Sequence, residues 1–394
     1  MNFPVFRWLA WVLVGCTADP IETADTEAAE TYVIPPDSEV PPDTDLPDTD
    51  DSVLPDTDAD PMAYSAPEVI FATTGNAKTA SIAVTDDGRV HVVWHDFSLD
   101  PANLYHAIRE NGEWTTETLP LLAYKSIRPF LLVDENAVDL VFDAQPDAET
   151  TEVWSARWED GAWSTPVLVG LGEKAILARD SAGRLHSLYY TEGWPTHSVR
   201  VDGVWEDGDP IALQDNDVNT FGMALAAHGD TMVAGVSVSD AEGFDDIHRL
   251  EWDGAGWTED VLFESVDYSS DEPEAFDAGG TLHWTWTEQA QFGPYDIGVV
   301  WTIDGESPLF VALDPGFSMD PTLVVPSDGD PVVAWVTPSG GIELDRFPFD
   351  EPLEIADQGT GPKLTLDSAG YVHLVYYAYN GDDQDIWYTT NRAN

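Results

Sequence analysis

The 394-residue chain carries 74 acidic against 15 basic side chains, a formal charge of −59. A field of that sign repels polyphosphate and anionic lipid surfaces, which removes nucleic acid and peripheral membrane binding from the functions in reach. A single cysteine excludes a disulfide framework within the chain, and 16 tryptophans supply bulk for a large core.

In chain order, MNFPVFR carries one positive charge, Trp8 to Val14 is a short apolar run, and Leu13-Val14-Gly15-Cys16 follows. The run is too short to span a bilayer and reads as a secretory signal over residues 1–15. Its end resembles the lipobox of bacterial lipoprotein signals, which are cut before the cysteine. That resemblance implies acylation of Cys16, a lipid anchor as the only membrane contact, and residence at the bacterial outer membrane, facing the periplasm or the cell exterior. Residues 16–64 then read as a tether: positions 17–64 hold 15 acidic residues and no Lys or Arg, with PPDTD, LPDTD and LPDTD recurring between Pro41 and Asp58. Low hydrophobicity, many prolines and one sign of charge leave no core to offset the ordering entropy.

From about residue 65 to 394 one pattern repeats. SIAVTDDGRVHVVWHD (81–96) is an alternating run, an acid-Gly turn and a second alternating run, the signature of a hairpin. Six further copies place the residue equivalent to His91 at 139, 186, 233, 283, 332 and 373, a mean spacing of 47 residues. Each copy continues into a third run (NLYHAI, EVWSARW, DIWYTT) and, after a Gly turn often followed by Trp, a fourth (NGEWTTETL, DGAWSTPVLV). Four-strand units at a period in the forties predict an all-β fold, a seven-bladed β-propeller. The seventh copy ends at DIWYTT without a fourth strand, and APEVIFA (66–72) has no repeat of its own. Glu68 to Phe71 is therefore expected to complete the last blade and close the ring, removing an exposed edge.

The DxxGxxHxxW-type hairpin, the D-I/L-x-Y/W strand and the N/D-G-x-W turn together resemble the sialidase-like (BNR-repeat) propellers of secreted and lipid-anchored bacterial proteins, over about residues 66–394. The resemblance implies blade geometry. Sialidases of that family carry S-x-D-x-G-x-x-W boxes and an arginine triad that grips the substrate carboxylate; here the turns read ENGEW, EDGAW, VDGVW and GAGW. A fold alone does not carry an activity.

Candidate site residues come from the face of the blade-to-blade and second-to-third connections, because the short Gly turns leave the opposite face bland. Lys78, Lys125, Lys174 and Lys363, with Arg128, read as lying in or next to blade-to-blade connections on one side of the ring, opposite Asp215, Asp217, Asp267, Asp271, Glu272, Asp314 and Asp320. A cationic sector at a low-dielectric channel mouth suits a carboxylate- or sulfate-bearing sugar. Trp194, Phe244, Phe292, Tyr295 and Tyr379 fall in loops where aromatic rings stack on sugars or on a partner protein. His95-Asp96 is the one histidine with acid–base geometry, whereas His91, His186, His283 and His373 share one place in four blades and read as architecture. Carboxylates such as Asp382, Asp383 and Asp385 offer oxygen ligands for calcium, at a spacing that matches no EF-hand loop. These observations predict a monomeric, non-catalytic module binding a glycan or a surface protein without a cofactor. The competing reading is a sialidase-like glycan-processing enzyme, disfavoured by eleven arginines of which Arg128 alone is well placed.

Overall fold

The computed structural model describes residues 63–392 apart from the short segments 72–75, 99–101, 120–121, 207, 214–217, 240–244, 265–267, 291–296, 314–318, 350 and 382. The signal, Cys16 and nearly all of the tether lie outside the described residues. Within them the chain forms seven antiparallel sheets and no helix. The inner strands are Ala77–Val84, Lys125–Asp134, Glu173–Arg179, Val218–His228, Tyr268–Asp277, Met319–Val324 and Thr360–Leu366, opening blades 1 to 7 in order. Each pairs with the strand that follows it, which pairs with a third, and the third with an outer strand. In blades 2 and 3 the outer strand is broken in two, Ala162–Trp163 with Val167–Leu171 and Val204–Trp205 with Asp209–Pro210. The architecture is a seven-bladed β-propeller.

Glu68–Phe71 pairs antiparallel with Asp383–Thr390, Glu68 opposite Tyr388 and Val69 opposite Trp387. The seventh sheet thus takes strands from both ends of the domain. Ser65 N–H donates to Thr390 O at 2.8 Å, and Thr389 Oγ1 donates back to Ser65 O at 2.6 Å. Tyr64 packs on a cluster that includes Val324, Leu344 and Tyr376.

The second strands explain why the hairpin pattern is so apolar. All seven residues of Val90–Asp96 are buried, because a strand inside a blade is covered on both faces by neighbouring blades. Tryptophans of the Gly turns then fasten each blade to the one before. Trp163 Nε1 donates to His106 at 3.1 Å, Trp205 Nε1 to Ser155 Oγ at 2.7 Å, and Trp114 stacks edge-on against Tyr388 while donating to Glu68 at 3.0 Å. Trp257 meets His197 edge-on. Where the later turns lack Trp, Phe349 takes over by packing edge-on against Trp301. The turn motif is therefore a staple between blades.

Beneath two of these staples lie stacked histidine pairs. His91 Nδ1 and His106 Nε2 are 3.0 Å apart in blade 1, and His186 Nδ1 and His197 Nε2 are 2.9 Å apart in blade 3. Burial and the neighbouring histidine and arginine charges push His91 down to about 3, burial does the same for His106, and His197 falls to about 3 through burial, His186 and Arg184.

Two outcomes follow. Deleting 65–71 removes the outer strand of blade 7 and should abolish cooperative unfolding, whereas deleting 20–60 should leave the thermal midpoint within a few degrees; equal midpoints would refute the strand's closing role. The histidines are neutral when folded and take protons when unfolded, so their stabilisation is complete above about pH 6.5 and is lost as pH falls toward 3. Each such histidine withdraws about 2 kcal/mol between pH 7 and pH 5, and His106→Gln should flatten that slope in chemical denaturation run at the two pH values.

Candidate functional site

Every inner strand breaks register once with its second strand, near its start: between Lys78 and Ser81, Ile127 and Phe130, Glu173 and Ile176, Asn219 and Met223, Asp271 and Glu274, Met319 and Thr322, and Thr360 and Lys363. In six of these bulges the backbone enters the left-handed region, at Thr79 (φ 50°), Arg128 (50°), Lys174 (59°), Glu272 (55°), Asp320 (53°) and Gly361 (59°). A bulge re-aims a side chain, and L residues accept that conformation only when neighbours hold it.

At Arg128, Lys174 and Asp320 the holding group comes from the blade before, and the bulges of blades 4 and 5 take similar bonds at Gly222 and Ser270. His95 Nδ1 accepts from Arg128 N–H at 3.4 Å, and the Asp143 carboxylate accepts from Lys174 N–H at 2.9 and 3.0 Å. Tyr190 OH donates to Gly222 O at 3.0 Å, Ser237 Oγ to Ser270 O at 2.7 Å, and Glu272 Oε2 accepts from Asp320 N–H at 3.0 Å. The second-strand residues His95, Asp143, Tyr190 and Ser237 occupy one register position, opposite Lys78, Ile127, Glu173 and Asn219.

Blades 1 to 3 form a cationic sector. The Lys78 and Lys125 ammonium groups lie 5.9 and 5.3 Å from the centre of the Phe97 ring, which is 40% exposed. Lys125 Nζ donates to the neutral Gln145 Oε1 at 2.8 Å, and Lys78 has no carboxylate partner among the described residues. Arg128, by contrast, is saturated by acids: Nη1 is 3.0 Å from Asp143 Oδ2 and 2.6 Å from Glu173 Oε2. Burial pushes Asp143 up to about 6 even though Lys174 N–H and Arg128 both favour its ionised form. Burial, reinforced by Arg128, lowers the pKa of the Lys174 ammonium.

Blades 5 to 7 form an acidic sector. Burial and the nearby Asp320 push Glu272 up to about 8, so it holds a proton at neutral pH. Asp271 is raised to about 6 by burial and Asp245. Lys363 is ion-paired with Glu274; burial opposes its charge, but Glu274 outweighs that and raises its pKa.

The four lysines lie at or near the starts of the inner strands, next to the blade-to-blade connections and at or beside the bulges. Lys78, Lys125 and Arg128 do converge, around His95. That histidine is 2% exposed and pushed down to about 3 by burial and these three cations, so it stays a neutral imidazole that accepts at Nδ1 rather than an acid. Asp96, also 2% exposed, accepts from Ser98 N–H at 2.7 Å and Asn76 N–H at 3.2 Å. The pair does not offer the acid–base geometry its sequence suggested: His95 packs edge-on beneath Phe97 with ring centres 4.5 Å apart, and Asp96 fixes the turn that presents that ring. Trp194 packs on the cluster of Leu188, Ile211 and Val236. Tyr379 is 60% exposed in blade 7. Tyr295, Phe244, Phe292, Asp215, Asp217, Asp267 and Asp314 lie outside the described residues. Phe97, Asp143 and Glu173 were missed: Phe97 sits in a loop that spacing marks as variable, and nothing local distinguishes the two acids among 74.

No family model matches the chain, and no curated protein matches it. Solved structures do. The chain is similar to an α-L-arabinanase from Penicillium chrysogenum solved with arabinobiose, at 12% identity and a TM-score of 0.54, covering 83% of this chain and 98% of that one. It is also similar to an α-L-arabinofuranosidase from Fusarium graminearum, at 11% identity and a TM-score of 0.53, covering 83% and 97%. A Trypanosoma rangeli sialidase follows at 10% identity and a TM-score of 0.43, covering 80% and 55%. At identities this low, the arabinanase and arabinofuranosidase matches show a shared fold and nothing finer.

Arg128→Met leaves Asp143 buried without its guanidinium and should cost about 3 kcal/mol at pH 8. The loss should shrink at pH 5, where Asp143 carries a proton in the folded state, and Asp143→Asn added to Arg128→Met should recover most of it in urea denaturation.

Proposed function

We propose that this propeller is a lipid-anchored, extracytoplasmic binding module for anionic glycans. The observation that carries the reading is Lys78–Phe97–Lys125: an exposed aromatic ring flanked by two ammonium groups without a described carboxylate partner, in a chain of net charge −59. An aromatic face stacks on a sugar ring while ammonium groups meet its carboxylate or sulfate. Asp96 and His95 support the turn that holds Phe97, so the site is preorganised. The solved propellers of like fold include arabinanase and arabinofuranosidase structures, which supports a glycan as the ligand. The signal resemblance around Cys16 supports anchoring at the outer membrane. Calcium and a surface protein as partner rest on the loop carboxylates and loop aromatics alone.

A second reading is favoured by Glu272. A carboxylic acid still protonated at neutral pH beside Asp320 is what general-acid catalysis of glycoside hydrolysis requires.

One experiment separates these readings. On an array of sialylated, uronate-bearing, sulfated and neutral glycans, the protein should retain acidic glycans and lose them as NaCl rises from 50 to 500 mM. Lys78→Ala with Lys125→Ala should weaken binding about tenfold or more, and Phe97→Ala comparably. Unchanged binding in the double variant would refute the binding site. New reducing ends released from a bound glycan, and abolished by Glu272→Gln, would establish the hydrolase instead.

A further inference from the structure

The face of short Gly turns, bland in the sequence, holds an opening of ligand size. Where blade 7 meets blade 1, on the face of the first-to-second and third-to-fourth strand turns, lies a cavity of about 800 Å³ lined by Arg89, Arg109, Arg392, Glu68, Asp87 and Asn111 among others. Arg89 also lines a second cavity of about 420 Å³ beside it, with Asp134, Asn136 and Arg157 on the blade 2 side. The two share a wall, and each lies in the range of ligand pockets.

The arginines here are arranged as hydrogen-bonding forks rather than as free positive charge. Arg89 engages Asp87 through Nε at 3.0 Å and Nη2 at 2.6 Å, Arg109 Nε lies 3.0 Å from Glu68 Oε1, and Arg392 Nη1 lies 3.0 Å from Asp367 Oδ2. Each guanidinium is also laid on an aromatic face, Arg89 on Trp158 at 4.6 Å, Arg109 on Tyr388 at 5.5 Å and Arg392 on Tyr371 at 5.8 Å. The forks are thereby fixed in orientation before any ligand arrives. A guanidinium carries five N–H donors; Arg392 uses one on Asp367, while Arg109 Nε, though 3.0 Å from Glu68 Oε1, makes no directed hydrogen bond, which leaves donors on both without a side-chain hydrogen-bond partner among the described residues. Asn111, exposed in its turn, adds a donor and an acceptor, and Glu68 and Asp87 add acceptors.

We infer that this cleft binds a neutral oligosaccharide, its hydroxyl groups taken up by the arginine forks, the carboxylates and Asn111. The charges decide the class. Three guanidinium groups face Glu68, Asp87, Glu110 and Asp367, a net charge of −1 inside a domain that repels anions, so the cleft disfavours a ligand carboxylate or sulfate. A ligand rich in hydroxyls needs alternating donors and acceptors at fixed angles, and the cleft supplies both. The site is independent of Lys78, Phe97 and Lys125.

The test is calorimetric titration of the full-length protein with neutral hexasaccharides of arabinose, xylose, glucose and mannose. At least one should bind with an affinity that changes less than twofold between 50 and 500 mM NaCl, unlike binding at the cationic rim. Asn111→Gly removes the amide while tolerating the left-handed backbone there (φ 53°), and Arg392→Ala removes a half-exposed fork. Each should weaken binding fivefold or more, Asn111→Gly with the thermal midpoint preserved and Arg392→Ala with a lower midpoint because the buried Asp367 loses its guanidinium, so binding is read well below that midpoint. No binding by any of the four at millimolar concentration, unchanged affinity in both variants, or salt-sensitive binding of acidic sugars alone that Arg392→Ala abolishes would each overturn the proposal.

Discussion

The start of every inner strand imposes the constraint on which the rest of this propeller depends. Seven strands must leave their ladders at the same level, and each does so by a bulge that forces one residue toward left-handed backbone in six of the blades. That conformation costs an L residue about 1–2 kcal/mol. The offset is a hydrogen bond from a neighbour, 3.4 Å from His95 to Arg128 N–H and two bonds below 3.1 Å from Asp143 to Lys174 N–H. Bonds to a carboxylate are the stronger kind, which fits their use at Lys174, where a bulky side chain must be held. At Arg128, Lys174 and Asp320 the clamp comes from the preceding blade, so strain there is relieved only when the neighbour is in place, which couples those blades.

The same device sorts charge. Bulge positions carry Arg128, Lys174, Glu272 and Asp320, and the lysines Lys78, Lys125 and Lys363 lie beside them. The other arginines among the described residues sit toward the opposite ends of the strands, where Arg157 and Arg179 share the buried Asp139, and Arg346 meets Asp328 and Asp330. Lysine presents a compact, mobile charge suited to meeting a ligand, whereas the planar arginine fork suits fixed pairing with acids at turns. In a chain with 74 acids and 15 bases, this division leaves Lys78 and Lys125 without described acid partners while spending most guanidinium groups on structure.

The strands and blades were legible in the sequence because each rests on local alternation and a Gly turn, repeated seven times; Val90–Asp96 buries every residue its pattern marked. The staples were legible as recurring Trp without their purpose, since Trp163 meets His106 across 57 positions. The bulges were not legible, because a two-for-one register break needs both strands, and Arg128 and Lys174 look like loop residues until paired. His95 and Asp96 were marked by composition, and their burial reversed the meaning of the mark. The cleft at the blade 7 and blade 1 junction was invisible for a plainer reason: Glu68, Arg89, Arg109 and Arg392 come from opposite ends of the domain.

That cleft follows from how the ring is joined. In the other six blades the third strand leads through a turn into its own outer strand, and in several that turn brings a Trp that fills the gap to the blade before. At the junction the third strand runs to Thr390, and the outer strand arrives separately as the four residues Glu68–Phe71, against seven in Glu113–Leu119 of blade 1. Among the described residues no connecting turn occupies the space below, and Arg392, past the strand, becomes a wall instead. Trp114 and Arg109 both reach back to Glu68, tying the short strand to blade 1 across the opening. Joining a ring by chain ends therefore leaves one gap in its series of staples, and here the gap is furnished with oriented guanidinium groups. Apolar residues could have sealed the same space at less cost in desolvation, so their replacement by charged pairs argues for a surface kept open to a ligand.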